Sequence, residues 1–120
     1  MSDLTIDRRH LVPGQYSKSV AFGNQIFLSG LIPENWDLDM HAQAQEVFTQ
    51  IDELLAEFGS SRSNLLSIQV FIKSFEDYGS FKEAYALWID QDSLPARATV
   101  RADLLDPKIK IEIMAVAARS

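Results

Sequence analysis

Leu94-Pro95-Ala96-Arg97-Ala98-Thr99-Val100-Arg101-Ala102-Asp103 alternates polar and small apolar residues without a break. A period of two belongs to a β-strand, so Arg97, Thr99, Arg101 and Asp103 share one face and Ala96, Ala98, Val100 and Ala102 the other. Pro95 fits the opening of a strand but not its middle. The small alanines suit a face pressed against helices, which would put the arginines on the opposite, open side of a sheet. There a guanidinium held rigidly beside a hydroxyl can bind a carboxylate through two parallel hydrogen bonds. A solvated polar strand face reads the same way.

Working outward, residues 66–73 alternate again, with Leu66, Ile68, Val70 and Ile72 on one side, and predict a long strand. Between the two strands, Ser80-Phe81-Lys82-Glu83 has the form of a capping box opening a helix, with Phe81, Ala84, Tyr85 and Trp88 on its buried side. Beyond Asp106-Pro107 a last strand over residues 109–117 is expected to fold back as a hairpin on the arginine strand. Ile109, Ile111 and Ile113 lie on one side of it, Lys110, Glu112 and Met114 on the other. Toward the amino terminus, Asp39 is a plausible N-cap for a helix that ends before Gly59, with Val47, Ile51, Leu54, Leu55 and Phe58 in one stripe. Val20-Ala21-Phe22 and the strand from Gln25 to Ser29 flank Gly23-Asn24, a two-residue hairpin signal. Thr5-Ile6-Asp7 is the candidate first strand.

The order strand, hairpin, helix, strand, helix, hairpin predicts one α+β domain over residues 1–120, a mixed sheet with both helices packed on one face. By parity Phe71, Gln69, Met114, Val116, Glu112 and Arg97 are expected on the other face. That mixture is too apolar for water and too polar for a dry core, so homo-oligomerisation through this face, with pockets in the interface, is expected.

Composition narrows the function. With 47% hydrophobic residues in 120, the chain can bury a real core, and no run of 18 apolar residues suggests a membrane span. The opening Met1-Ser2-Asp3-Leu4-Thr5-Ile6-Asp7 lacks the apolar stretch of a secretory leader, and cysteine is absent; a cytoplasmic location is expected. A net charge of −6 disfavours nucleic acid as a partner. His10 and His41 have no ligand-spaced companions, so no metal is expected. Ser17 and Ser29 lie in no nucleophile elbow, and no glycine-rich loop opens a helix to cradle a nucleotide cofactor. Trp36 could line a pocket; Trp88, on a helical stripe, reads as core. Glu112 has two readings. It could pair with Lys110 or Arg101 on a wet strand face, or stand near Arg97 across the hairpin, able to orient or activate water.

Four motifs resemble the RidA (YjgF) family: Gly14-Gln15-Tyr16-Ser17, Phe27-Leu28-Ser29-Gly30 with Ile32-Pro33, Pro95-Ala96-Arg97, and Ile111-Glu112-Ile113. They keep the family's order over nearly the whole chain, and the ending resembles the small YoaB-like branch. The resemblance implies a chorismate-mutase-like fold, a homotrimer with clefts between subunits, and hydrolysis of reactive 2-imino (enamine) acids, such as 2-iminopropanoate or 2-iminobutanoate, to 2-oxo acids and ammonia without metal or cofactor. In that scheme Arg97 clamps the substrate carboxylate and Glu112 positions the attacking water. Tyr16, Ser29 and Gly30 contact substrate, Tyr85 takes the substrate-binding place where many members carry an asparagine, and the backbone of Thr99 helps place the water. The alternative is a trimer that binds small carboxylates or a partner protein without turnover. Ribonuclease activity, attached to some relatives, is opposed by the acidic balance.

Overall fold

The computed structural model describes residues 4–119; residues 1–3, which begin the stretch read for a leader, and residue 120 lie outside the description. Six strands, β1 (Asp7–Val12), β2 (Tyr16–Phe22), β3 (Gln25–Leu28), β4 (Leu65–Ile72), β5 (Ala96–Arg101) and β6 (Ile111–Ala118), form one sheet in the order β1-β2-β3-β6-β4-β5. Only β4 and β5 run parallel. Helices α1 (Met40–Ala56) and α2 (Tyr78–Trp88) cover one face.

Local chemistry sets most boundaries. Phe22 pairs with Gln25 around a turn where Gly23 has φ +60°, the left-handed backbone that favours glycine. Asp39 caps α1 by accepting a hydrogen bond from the Ala42 amide at 2.9 Å. Val47, Ile51, Leu54 and Leu55 are buried, and Phe58 packs beside them. They meet Ile26, Ile68, Val70, Ile111 and Ile113 from the sheet, while Phe48 stacks on Trp88 at 4.3 Å and joins α1 to α2. Trp88 is therefore core, and the Trp36 indole donates to the Pro33 carbonyl within its own loop.

Five expectations need correction. The first strand is Asp7–Val12 rather than residues 5–7; a tight turn through Gly14 fixes its pairing with β2, not an apolar pattern of its own. Leu66 is exposed because a bulge between Leu65 and Ser67 shifts it out of the buried parity. Ser80 does not cap α2, which already begins at Tyr78 and continues from a short 3₁₀ turn whose cap is Ser74. The final hairpin does not form. β6 inserts between β3 and β4, where its fully buried Ile113 and Ala117 have partners on both sides, and β4 separates it from β5. Last, the faces of β5 are reversed. Arg97, Thr99 and Arg101 pair with Ile68, Val70 and Ile72, whose side chains lie under the helices, so the arginines share the helical side. Ala96, Ala98 and Val100 are exposed on the open side, beside Ser67, Gln69 and Phe71.

The open face carries Phe27 and Met114, each 43% exposed, with the half-buried Val20, Phe71 and Val116. Among the described residues no helix is long and apolar enough to cross a membrane.

Candidate active site

β5 is an edge strand, and α2 overhangs it with an aromatic stripe. Tyr78, Phe81 and Tyr85 follow helical spacing. The Arg97 guanidinium lies 4.9 Å from the Tyr85 ring centre and 5.6 Å from that of Phe81, and donates to the Tyr78 hydroxyl at 3.3 Å. Ring faces and a neutral hydroxyl hold the cation in place without cancelling its charge. Among the described residues, Arg97 forms no ion pair. Burial pushes the Tyr85 phenol up, and the Arg97 charge opposes that only in part, so Tyr85 is neutral at ordinary pH.

Arg97 opens on both flanks. On one side it forms, with Thr99, Tyr78 and Phe75, a cleft of about 440 Å³. On the other it borders a hollow of about 450 Å³ with Lys82, Tyr85 and Leu94. Such volumes suit a small organic acid. The sequence reading missed Tyr78 and Phe75; the spacing 78, 81, 85 was the available signal, hidden by starting the helix three residues late.

Glu112 lies elsewhere. It pairs in register with Phe71, so it shares the open face with Met114, whereas Arg97 is on the helical face and two strands away. The pair therefore do not meet within one chain, and the hairpin juxtaposition is corrected. No ion pair joins Glu112 to Lys110 or Arg101 either. Its carboxylate occupies the space left by the missing side chain of Gly30: a Cβ there would collide with Glu112 Oε2. Gly30 is positioned where the chain leaves β3 and rejoins β6 through paired Leu31–Ile113 hydrogen bonds of 2.8 and 3.0 Å. Ser29 precedes it, its amide bonded to the Lys18 carbonyl at 2.9 Å. Tyr16, half exposed, starts β2 at that same end of the sheet, on the open side with Lys18 and Val20. The seven residues thus fall into two groups, Arg97, Thr99 and Tyr85 under α2 and Glu112, Gly30, Ser29 and Tyr16 at the β3–β6 end.

The close fit of Gly30 and Glu112 gives a first prediction. Gly30→Ala should push a flexible carboxylate aside at little cost in stability, yet reduce any reaction that uses Glu112 by about 10²-fold, as an ångström-scale misplacement does. A thermal melt beside a rate assay checks it; full activity in the variant would show that the carboxylate's seat is unimportant.

His10 pairs with Glu57 at 2.8 Å, and His41 lies 3.3 Å from Gln45. Among the described residues no group of three or more His, Asp or Glu side chains is arranged to hold a metal.

A mixed sheet under two helices, with an edge-strand arginine caged by aromatics and a carboxylate seated on a glycine, makes this a small α+β domain with a cation-lined cleft. Comparison with known proteins gives the family. The family model described as endoribonuclease L-PSP matches residues 8–119. A RutC family protein of Haemophilus influenzae is 37% identical over 116 residues, covering 95% of this chain and 98% of its own. The RutC family protein YoaB of Escherichia coli is 35% identical over 104 residues, 87% of this chain and 90% of its own. The crystal structure of NMB1025, a YjgF family member from Neisseria meningitidis, superposes with a TM-score of 0.92 at 33% identity, covering 98% and 97% of the two chains. The chain belongs to the RidA/YjgF family.

Proposed function

We propose that this protein hydrolyses reactive 2-imino acids to 2-oxo acids and ammonia, at sites built between copies of the chain in a homotrimer. The observation that carries the reading is the Arg97 guanidinium, held against aromatic rings and, among the described residues, free of any carboxylate partner, between two hollows each sized for a small acid. A relative from Dermatophagoides farinae, 28% identical over 109 residues, is named 2-iminobutanoate/2-iminopropanoate deaminase.

The chemistry asks little of the protein. Arg97 takes the substrate carboxylate in two parallel hydrogen bonds and so fixes the adjacent C=N carbon. Glu112 accepts a proton from a water that adds to the carbon of the protonated imine, giving a neutral carbinolamine. That proton passes to nitrogen, the C–N bond breaks as ammonia leaves with the bonding electrons, and the carbinol hydroxyl gives its proton to Glu112 as the C=O forms. Because an imine carbon is already electrophilic, orientation supplies most of the rate, and no tuned nucleophile is needed.

A single chain keeps Arg97 and Glu112 on opposite faces, so this mechanism requires a second copy. The apolar open face, with Phe27, Met114, Phe71 and Val116, offers the surface for that association.

To test the reading, 2-iminopropanoate is generated in situ and its decay timed with and without protein. Acceleration is expected, and Arg97→Ala should reduce kcat/KM by roughly 10²–10⁴-fold, the loss of two charge-assisted hydrogen bonds. Decay no faster than in buffer, or unchanged in Arg97→Ala, would refute it.

A further inference from the structure

Among the described residues six cations lie over aromatic rings, and they divide cleanly. Arg9 and Arg119 over Phe58, and Arg62 over Trp88, are each also paired with an aspartate. Lys82 over Tyr78, Arg97 over Tyr85 and Phe81, and Arg101 over Phe75 are not; among the described residues these three have no carboxylate within 4.0 Å. In a chain of net charge −6, the ring-held cations without a counter-ion are gathered at the α2–β5 flank. Aromatic faces fix a cation's position while leaving its charge available to something from solution.

Lys82 is placed to act with Arg97. Its Nζ lies 5.1 Å from the centre of the Tyr78 ring whose hydroxyl Arg97 binds, and both side chains border the same hollow of about 450 Å³. Arg101 is four residues from Arg97 along an extended strand, about 13 Å away. A short diacid does not span that distance.

We propose that this flank is built for a small acid with two carboxylates, Arg97 taking the one beside the reacting carbon and Lys82 the second. The substrates of the hydrolase would then be dicarboxylic 2-imino acids. The proposal rests on the reading of Arg97 as the carboxylate clamp, and adds Lys82 as the residue that selects the side chain. Lys82 is exposed, so its contribution is a modest preference that salt erodes.

Binding separates the two ideas, because it needs no turnover. Calorimetry at low ionic strength is run with 2-oxobutanoate, 2-oxoglutarate and inorganic phosphate. The diacid is expected to bind about fivefold tighter than the monoacid, the size of one exposed ion pair. Lys82→Met should shrink that preference below about twofold, Arg101→Gln should leave it intact, and Arg97→Ala should weaken both acids. Equal affinity for the two acids, a preference that survives Lys82→Met, or tight phosphate binding without diacid preference would overturn the proposal. A diacid preference that depends on Lys82, in a protein without imine hydrolysis, keeps this site and removes the hydrolase reading. Turnover without the preference does the reverse.

Discussion

Arg97→Ala and Glu112→Gln chains, each nearly inactive alone, are expected to regain about a quarter of wild-type imine hydrolysis when refolded together in equal amounts, by the counting of a cyclic trimer. In the proposed trimer each interface site takes Arg97 from one copy and Glu112 from its neighbour. In a random mixture half the chains supply an intact Arg97 and half an intact Glu112, and both must fall on the correct sides of an interface. The expectation follows from the sheet order, in which β4 separates the two residues and opposite parity puts them on different faces. If the mixture shows no more than the sum of the two variants, both residues act from one chain or one of them does not act, and the composite site is wrong. Mixing without refolding is the control, since preformed assemblies exchange slowly if the open face is buried.

The largest expected loss of stability is at Gln43, which is fully buried on α1. Its Nε2 donates to the Trp36, Leu38 and Lys108 carbonyls at 3.0–3.1 Å, and its Oε1 accepts from the Lys110 amide at 2.8 Å. One side chain thus ties the loop before α1 and the approach to β6 onto the helix. Gln43→Ala removes the partner of all four backbone groups, at about 1–3 kcal/mol for each that water cannot reach. Urea unfolding at fixed protein concentration should show a loss of about 3–5 kcal/mol, against less than about 0.5 kcal/mol for the exposed Gln45→Ala. Similar values for the two variants would mean the loops are held by other contacts. Because Gln43 holds the segment entering β6, the same variant should loosen the seat of Glu112.

How much was legible follows the range of the interactions. Gly23-Asn24, the Asp39 cap and the Val47–Ile51–Leu55 stripe announce themselves because turn, cap and helix face are decided within a few residues. The four motifs in register pointed to the family for the same reason, as short stretches legible residue by residue. Gln43 gave no sign, since a polar residue in a helix reads as surface until its partners at Leu38 and Lys108 are known. The place of β6 was equally hidden. An apolar alternating strand says that one face is buried, not which strands will flank it, and the nearest in sequence was the wrong choice. With β6 misplaced, Glu112 was brought to Arg97 across a hairpin that does not exist.

By itself the sequence determined that Arg97 and Ala98 point to opposite sides of a strand, that the chain forms an α+β domain of a recognisable family, and that its acidic balance leaves few basic groups to spare. Tertiary structure alone decided that the arginine faces the helices, that aromatic rings rather than carboxylates steady it, and that the glutamate lies beyond another strand. The reason is physical: alternation is invariant to exchanging the two faces of a sheet, and only pairing with Ile68, already committed to the core, breaks that symmetry.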